Sequence, residues 1–165
     1  MFFENNLTYL RKGKNMRRLI GIKFIITFCW LLVSVSALGQ SRSYVNPSSS
    51  EGNGAPFSGA VMEGNTLYLS GMLGLVDGEV PGTPEEETRL IMEQFKATLA
   101  EAGMTMDDLV SVTIYCSDVS HYAAFNSVYR TYFNGNFPAR AFIGAGNLLF
   151  DARFEMQGIA VKSSM

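Results

Sequence analysis

The sequence predicts an α+β domain with the element order β-β-α-β-α-β-β. Stretches in which apolar and polar residues alternate surround two stretches whose apolar residues recur at helical spacing. Strands and helices mixed in this order are typical of one mixed sheet with both helices packed on one face. The 165 residues suit one such domain. The second face of the sheet then needs a cover, and we expect the chain to oligomerise.

The first two strands form a predicted hairpin. Residues 60–62 and 66–70 are rich in apolar and β-branched or aromatic side chains, and Glu63-Gly64-Asn65 lies between them. Gly64 and Asn65 both tolerate the positive φ that tight hairpin turns require. The glycine-rich stretch that follows, residues 71–81, is predicted to be a loop.

The first helix begins with a capping box. Thr83 is the predicted N-cap, Pro84 suits the first helical position, and Glu86 completes the box. Apolar residues then recur at helical spacing until Gly103, which favours a helix end. These residues are Ile91, Phe95, Leu99 and Ala102.

Four further elements complete the domain. They are a strand over 110–116, a second helix that opens at Asp118 or Ser120 and ends at Gly135, and strands over 141–143 and 150–161. The aromatic stripe of the second helix is most simply core. It consists of Tyr122, Phe125, Tyr129 and Tyr132. In the last strand, alternation places Phe154 and Met156 on one face and Glu155 on the other.

The N-terminal segment has the order of a secretory signal peptide. A basic start is followed by an apolar run at residues 24–33 and by small residues up to Gly39. We therefore predict a signal peptide over 1–39, cleaved near 37–40, and a periplasmic or secreted domain that keeps no membrane contact. The alternative is a membrane anchor that stays uncleaved. Residues 40–55 indicate a flexible leader, and 56–162 the folded domain.

The charge of the predicted mature chain excludes one class of partner. Beyond residue 39 there are seven basic and fourteen acidic residues, a net charge of −7. Nucleic-acid binding needs a basic face, so we expect no nucleic-acid partner. The single remaining cysteine, Cys116, allows no intrachain disulfide. With one cysteine and one histidine, His121, the sequence offers no metal-ligand cluster.

Arg140 and Glu155 are the candidate catalytic residues. Arg140 lies at the start of one predicted strand, and Glu155 lies inside the next. A guanidinium fork can bind a small carboxylate in bidentate fashion, and a nearby glutamate can move a proton. We expect both side chains on the uncovered face of the sheet or at its rim, where they would form a small-molecule site.

The residues around this pair resemble a known signature. Pro138-Ala-Arg-Ala-Phe-Ile143, Gly146-x-Leu148 and Glu155-Met156 are similar to the C-terminal motif of the RidA/YjgF family. Upstream, 56–58, 67–71 and Phe125-Asn126-x-x-Tyr129 follow in the family's order. The resemblance covers 56–162 and implies a chorismate-mutase-like fold of the bacillus type. It also implies a homotrimer with sites between subunits, no metal or organic cofactor, and hydrolysis of 2-imino acids or their enamines to 2-keto acids and ammonia.

The resemblance assigns residues to this chemistry. It implies that Arg140 and Glu155 are catalytic. Substrate contacts are implied for Ser70, Gly71, Asn126, Phe57 and Phe142.

Two of these positions depart from the family pattern. The family usually has tyrosine where Phe57 stands, and cysteine or a small residue where Phe142 stands. The alternative function is therefore a non-catalytic family member that binds a small carboxylate metabolite. Ribonuclease activity, also linked to the family, is disfavoured by the acidity of the domain.

Overall fold

The computed structural model describes residues 42–46 and 54–162. The predicted signal peptide and most of the predicted leader lie outside these ranges. Within the described residues, no helix is both long enough and apolar enough to cross a membrane.

Two helices and one six-stranded sheet form the described domain. The strands are β1 (Ser43–Val45), β2 (Ala60–Glu63), β3 (Thr66–Leu73), β4 (Leu109–Cys116), β5 (Ala139–Gly144) and β6 (Phe154–Val161). The helices are α1 (Pro84–Glu101) and α2 (Tyr122–Tyr129). Short 3₁₀ turns lie at Met106–Asp108, Val119–His121, Arg130–Tyr132 and Leu149–Asp151.

The predicted element order is confirmed, with one strand added at its start. Ser43–Val45 pairs with β2 antiparallel, with Tyr44 opposite Val61. Three residues of the predicted flexible leader therefore belong to the sheet. The surrounding serines and glycines hide this strand in the sequence, although tyrosine and valine favour strands.

The last strand begins later than predicted. The alternating pattern suggested a start at Phe150, but Phe150 and Asp151 have φ of 59° and 57°. This left-handed backbone cannot continue a strand. The strand starts at Phe154.

The sheet order is β1-β2-β3-β6-β4-β5. The β4–β5 pair is parallel and is connected through α2, whereas the other neighbours are antiparallel. The β3–β6 register shifts between Leu69 and Met72, so Ser70 and Gly71 together face a single residue of β6. This β-bulge brings two predicted site residues to one point of the sheet.

Both helices pack on one face of the sheet, as predicted. Phe95 of α1 and Phe125 of α2 are fully buried, and the Phe95 ring lies against Gly158. On β4, Val112 and Ile114 face the helices and are 1 % and 0 % exposed. The opposite face, here called the open face, carries Tyr68, Thr113, Tyr115 and Gln157. No helix within residues 42–46 and 54–162 covers it.

A buried ion pair joins the start of α1 to the segment before β6. The fully buried Glu87 carboxylate accepts hydrogen bonds from the backbone N–H of Arg153 at 2.7 Å and of Phe154 at 3.0 Å. It also pairs with Arg153 Nη1 at 3.0 Å. Because several donors satisfy this buried charge, the pair can be retained in the core. In the sequence, Glu87 stands out only as one of three acidic residues in the first helical turn.

Candidate functional site

Arg140 lies on the helix-covered face of the sheet. Its register partner on β4 is Val112, and Phe142 lies opposite Ile114. Paired residues of neighbouring strands project to the same side. The expectation of the open face is therefore wrong for Arg140, although the residue does lie at the rim of the sheet, on its edge strand β5. The sequence shows the alternation within β5, but it does not show which register β5 adopts against β4.

Residues of α2 fix the Arg140 guanidinium. Nη1 donates to Asn126 Oδ1 at 2.7 Å, and Nη2 donates to the Tyr122 hydroxyl at 3.3 Å. The guanidinium carbon lies 4.9 Å from the centre of the Tyr129 ring. Hydrogen bonds and a cation–π contact thus hold a half-buried cation in one orientation.

A hollow of about 190 Å³ opens beside this guanidinium. We call it the arginine hollow. It lies between the end of α2 and the start of β5, and it is lined by two arginines and by aromatic and amide side chains. The lining residues are Asn126, Tyr129, Arg130, Phe137, Pro138 and Arg140. With two cations and no carboxylate in this lining, the hollow suits an anion.

The sequence prediction does not include Phe137 and Pro138, which line the hollow, or three residues of α2 and its end: Tyr122, Tyr129 and Arg130. A signal for the last three exists. Tyr122, Asn126, Tyr129 and Arg130 are spaced i, i+4, i+7 and i+8, which places them on one helix face. The prediction that the aromatic members of this face belong to the core is confirmed for Tyr129, which is 3 % exposed, and wrong for Tyr122, which is 49 % exposed.

The Phe142 ring packs against the Arg140 guanidinium and does not line the arginine hollow. Its ring makes edge-to-face contacts with Tyr122 at 5.0 Å and with Phe125 at 5.6 Å between centroids. The guanidinium carbon of Arg140 lies 5.9 Å from its centre. Phe142, one of the two residues that depart from the family pattern, is thus part of an aromatic cluster on the helix side of the sheet.

Glu155 occupies the open face. It pairs with Tyr115 on β4 and with Leu73 on β3. Its carboxylate lies so close to Gly71 that a Cβ at this position would overlap Glu155 Oε1 and lie 2.9 Å from Cδ. Only glycine allows this approach, and the bulge in β3 provides it.

A second hollow, of about 410 Å³, lies beside the bulge. We call it the glycine hollow. Phe57, Ser70 and Gly71 line it together with the C-terminal half of α1. The Ser70 hydroxyl donates to the Ser58 carbonyl at 2.6 Å and so holds the 57–59 segment over the strand. Of the residues that the structure describes, Glu101 is the one ionisable residue in this lining, and no arginine or lysine contributes.

The predicted site residues therefore form two groups. Arg140 and Asn126 meet at the arginine hollow, with Phe142 behind them. Phe57, Ser70 and Gly71 line the glycine hollow, and Glu155 contacts Gly71 at the bulge without lining that hollow. A single chain does not bring the cation and the carboxylate together.

Two other chemistries find no support in the described residues. There, no group of three or more His, Cys, Asp or Glu side chains is placed to hold a metal ion. Cys116 is fully buried, its thiol donates to the Asp118 carbonyl, and burial raises its pKa. A thiol that stays protonated is a poor nucleophile.

A mixed sheet with two helices on one face and an oriented arginine at its edge defines a small α+β domain with a candidate anion site. Comparison with known proteins specifies the family. Residues 50–162 match the family model described as Endoribonuclease L-PSP. The chain belongs to this family, also known as RidA/YjgF, as its motifs indicate.

The relatives include enzymes of imine chemistry. A RutC family protein of Pyrococcus abyssi is 37 % identical over 110 residues, which are 65 % of this chain and 87 % of the relative. The 2-iminobutanoate/2-iminopropanoate deaminase of Capra hircus is 34 % identical over 113 residues, 67 % of this chain and 82 % of the relative.

Solved structures confirm the fold. TdcF of E. coli, crystallised with bound serine, superposes with a TM-score of 0.66 at 26 % identity and covers 73 % of this chain and 99 % of its own. RidA from a Psychrobacter species gives 0.63 at 27 % identity, with coverage of 70 % and 93 %. The fold is thus the chorismate-mutase-like α+β fold that the motifs imply.

Proposed function

We propose that this protein hydrolyses reactive 2-imino acids, or their enamine tautomers, to 2-keto acids and ammonia, in sites between the subunits of a homotrimer. The observation that carries the proposal is the separation of the two groups of site residues. The arginine hollow has a cation without a proton carrier. The bulge has a carboxylate, Glu155, without a cation. Each group supplies what the other lacks.

Joining the two groups requires two copies of the chain. Because they lie on different surfaces, the contact that joins them is heterologous, and such contacts close into rings when the rotation allows. A ring of three copies contains three equivalent sites. The same assembly would cover the open face, where the Tyr68 side chain is 50 % exposed in one chain.

The side chains suit imine hydrolysis. The Arg140 fork binds the substrate carboxylate, and Asn126 keeps the guanidinium oriented. Glu155 of the neighbouring copy takes a proton from water as the water oxygen adds to the C=N carbon. The proton passes to nitrogen, the tetrahedral adduct loses ammonia, and a C=O bond replaces C=N. No oxidant or reductant is needed, because water supplies the oxygen and both protons.

One observation favours an alternative function, the binding of a small carboxylate metabolite without catalysis. Phe57 lines the glycine hollow with a ring that is 56 % exposed, and it offers no hydroxyl to a water or a substrate. In this alternative, Arg140 would still bind a carboxylate, but water would not be oriented for attack.

An amino-acid oxidase that generates imino acids in situ tests the proposal. We expect residues 40–165 to accelerate 2-keto acid and ammonia release above the rate in buffer, and to have the mass of a trimer. Arg140→Ala should abolish the acceleration. If several imino acids show no acceleration but calorimetry detects 2-keto acid binding that Arg140→Ala abolishes, the alternative is correct. A stable, active monomer would disprove the inter-subunit site.

A further inference from the structure

Arg130 is a second cation at the arginine hollow. It follows the last residue of α2, and its Nε donates to the Asn126 backbone carbonyl at 3.1 Å. The Asn126 side chain accepts from Arg140 Nη1 at 2.7 Å. One residue therefore orients both guanidinium groups. Among the described residues, no hydrogen bond or ion pair occupies the terminal amino groups of Arg130.

The hollow suits a small, doubly anionic ligand. Its volume of about 190 Å³ equals that of roughly six water molecules in the liquid, enough for a compact metabolite. The Tyr129 hydroxyl is buried in the wall and has no hydrogen-bond partner among the described residues. Burial raises the pKa of Tyr129 to about 12, so the hydroxyl stays protonated at neutral pH. A ligand oxygen would give this donor a partner.

We propose, on the basis of the proposed function, that the preferred substrates are 2-imino diacids, which carry a second carboxylate at the end of the side chain. Arg140 binds the carboxylate beside the C=N bond, and Arg130 binds the distal one. A charged pair of this kind discriminates strongly, because a substrate with a methyl group in place of the distal carboxylate leaves Arg130 without its partner. Arg130 thus determines specificity and takes no part in the chemical step.

The test compares two substrates of equal chain length. The oxidase generates the imines of glutamate and of norvaline, whose five-carbon products are 2-oxoglutarate and 2-oxopentanoate. We expect kcat/KM to be about tenfold or more higher for the diacid, which is the effect of one charge-assisted hydrogen bond. In Arg130→Gln the ratio of the two values should fall to about one. Lys96→Gln, a matched loss of an exposed cation outside the hollow, should keep the wild-type ratio.

Binding gives a readout that does not depend on turnover. Calorimetry with 2-oxoglutarate and 2-oxopentanoate should show tighter binding of the diacid, a difference that Arg130→Gln removes and that added salt reduces. Acceleration for both imines with equal kcat/KM would overturn the inference and leave the proposed function intact. If neither imine is accelerated, the deaminase proposal fails, and the binding ratio alone decides the diacid preference.

Discussion

Arg140 and Glu155 lie on opposite faces of the same sheet. Arg140 is in register with Val112, whose side chain packs under the helices, and Glu155 is in register with Tyr115, whose side chain lies on the open face. The two groups therefore do not meet within one chain as it stands, and the proposed site joins them between copies of the chain. This relationship makes the proposed site testable by mixing subunits.

Mixed assemblies of two inactive variants should regain activity. Arg140→Ala and Glu155→Gln each remove one half of every site. In a randomly mixed trimer at equal ratio, about a quarter of the sites combine an intact Arg140 with an intact Glu155 from the neighbour. We therefore expect about a quarter of wild-type activity after the two variants are unfolded and refolded together. The same variants refolded separately and then assayed together are the control. No recovery in the co-refolded sample would contradict the inter-subunit site.

Arg140→Lys should lose most activity although it keeps the charge. Lysine cannot donate simultaneously to Asn126 Oδ1, the Tyr122 hydroxyl and a substrate carboxylate in one plane. Loss of one charge-assisted hydrogen bond, about 2 kcal/mol, lowers kcat/KM roughly 30-fold. Steady-state kinetics on one imino acid measures the loss. Arg89→Lys on the exposed side of α1 is the matched control and should keep wild-type kinetics.

Gly71→Ala should displace the Glu155 carboxylate, because the added Cβ overlaps it. We expect kcat/KM to fall about tenfold or more while the circular dichroism spectrum keeps its wild-type shape, since the backbone there needs no positive φ. Gly135→Ala is the control: a Cβ at that position meets nothing within 4 Å. Equal activity of Gly71→Ala and wild type would show that the position of Glu155 is not needed for turnover.

Glu87→Gln should destabilise the fold. It leaves Arg153, whose side chain is 25 % exposed, without its buried counter-charge and weakens the acceptor for two backbone N–H groups. Breaking a buried pair in this way costs about 3 kcal/mol. The midpoint of urea unfolding, at one fixed protein concentration, measures the change. Asp107→Asn, an exposed acid in a 3₁₀ turn, should leave the midpoint unchanged. An unchanged midpoint for Glu87→Gln would show that the ion pair contributes nothing to stability.

Tyr129→Phe should stabilise the unliganded protein by up to about 1 kcal/mol, because it removes a buried hydroxyl that has no partner among the described residues. The pKa of Tyr129 is raised from 10.0 to about 12 by burial. Below pH 10 the hydroxyl is protonated in both states, and its ionisation does not affect stability. Between pH 10 and about 12 it ionises in the unfolded chain but not in the folded one, so the free energy of unfolding falls. The variant should lose part of this alkaline destabilisation, measured as urea midpoints across that range. An unfolding midpoint below that of wild type at pH 7 would show that the hydroxyl has a partner.

How much the sequence predicts depends on the range of the interaction. Local signals place α1 correctly, since Thr83 and Glu86 form the predicted capping box. Alternation also identifies the buried side of β6 correctly. The face of Arg140 could not be predicted, because it depends on the parallel register of β5 against β4, which the alternation within β5 does not encode. The contact between Gly71 and Glu155 likewise depends on a bulge whose position no local pattern marks.

In the proposed ring of three copies, the division of the site residues between two surfaces also determines how defective chains affect the activity of the assembly. In a closed ring each copy lends its arginine to one neighbour and its glutamate to the other. One copy that lacks both Arg140 and Glu155 would therefore inactivate two of the three sites. A cell that makes normal and defective chains in equal amounts would lose more than half of its activity, because both copies that contribute to a site must be normal. Dilution that dissociates the proposed ring would also lower activity, because a single chain contains no complete site.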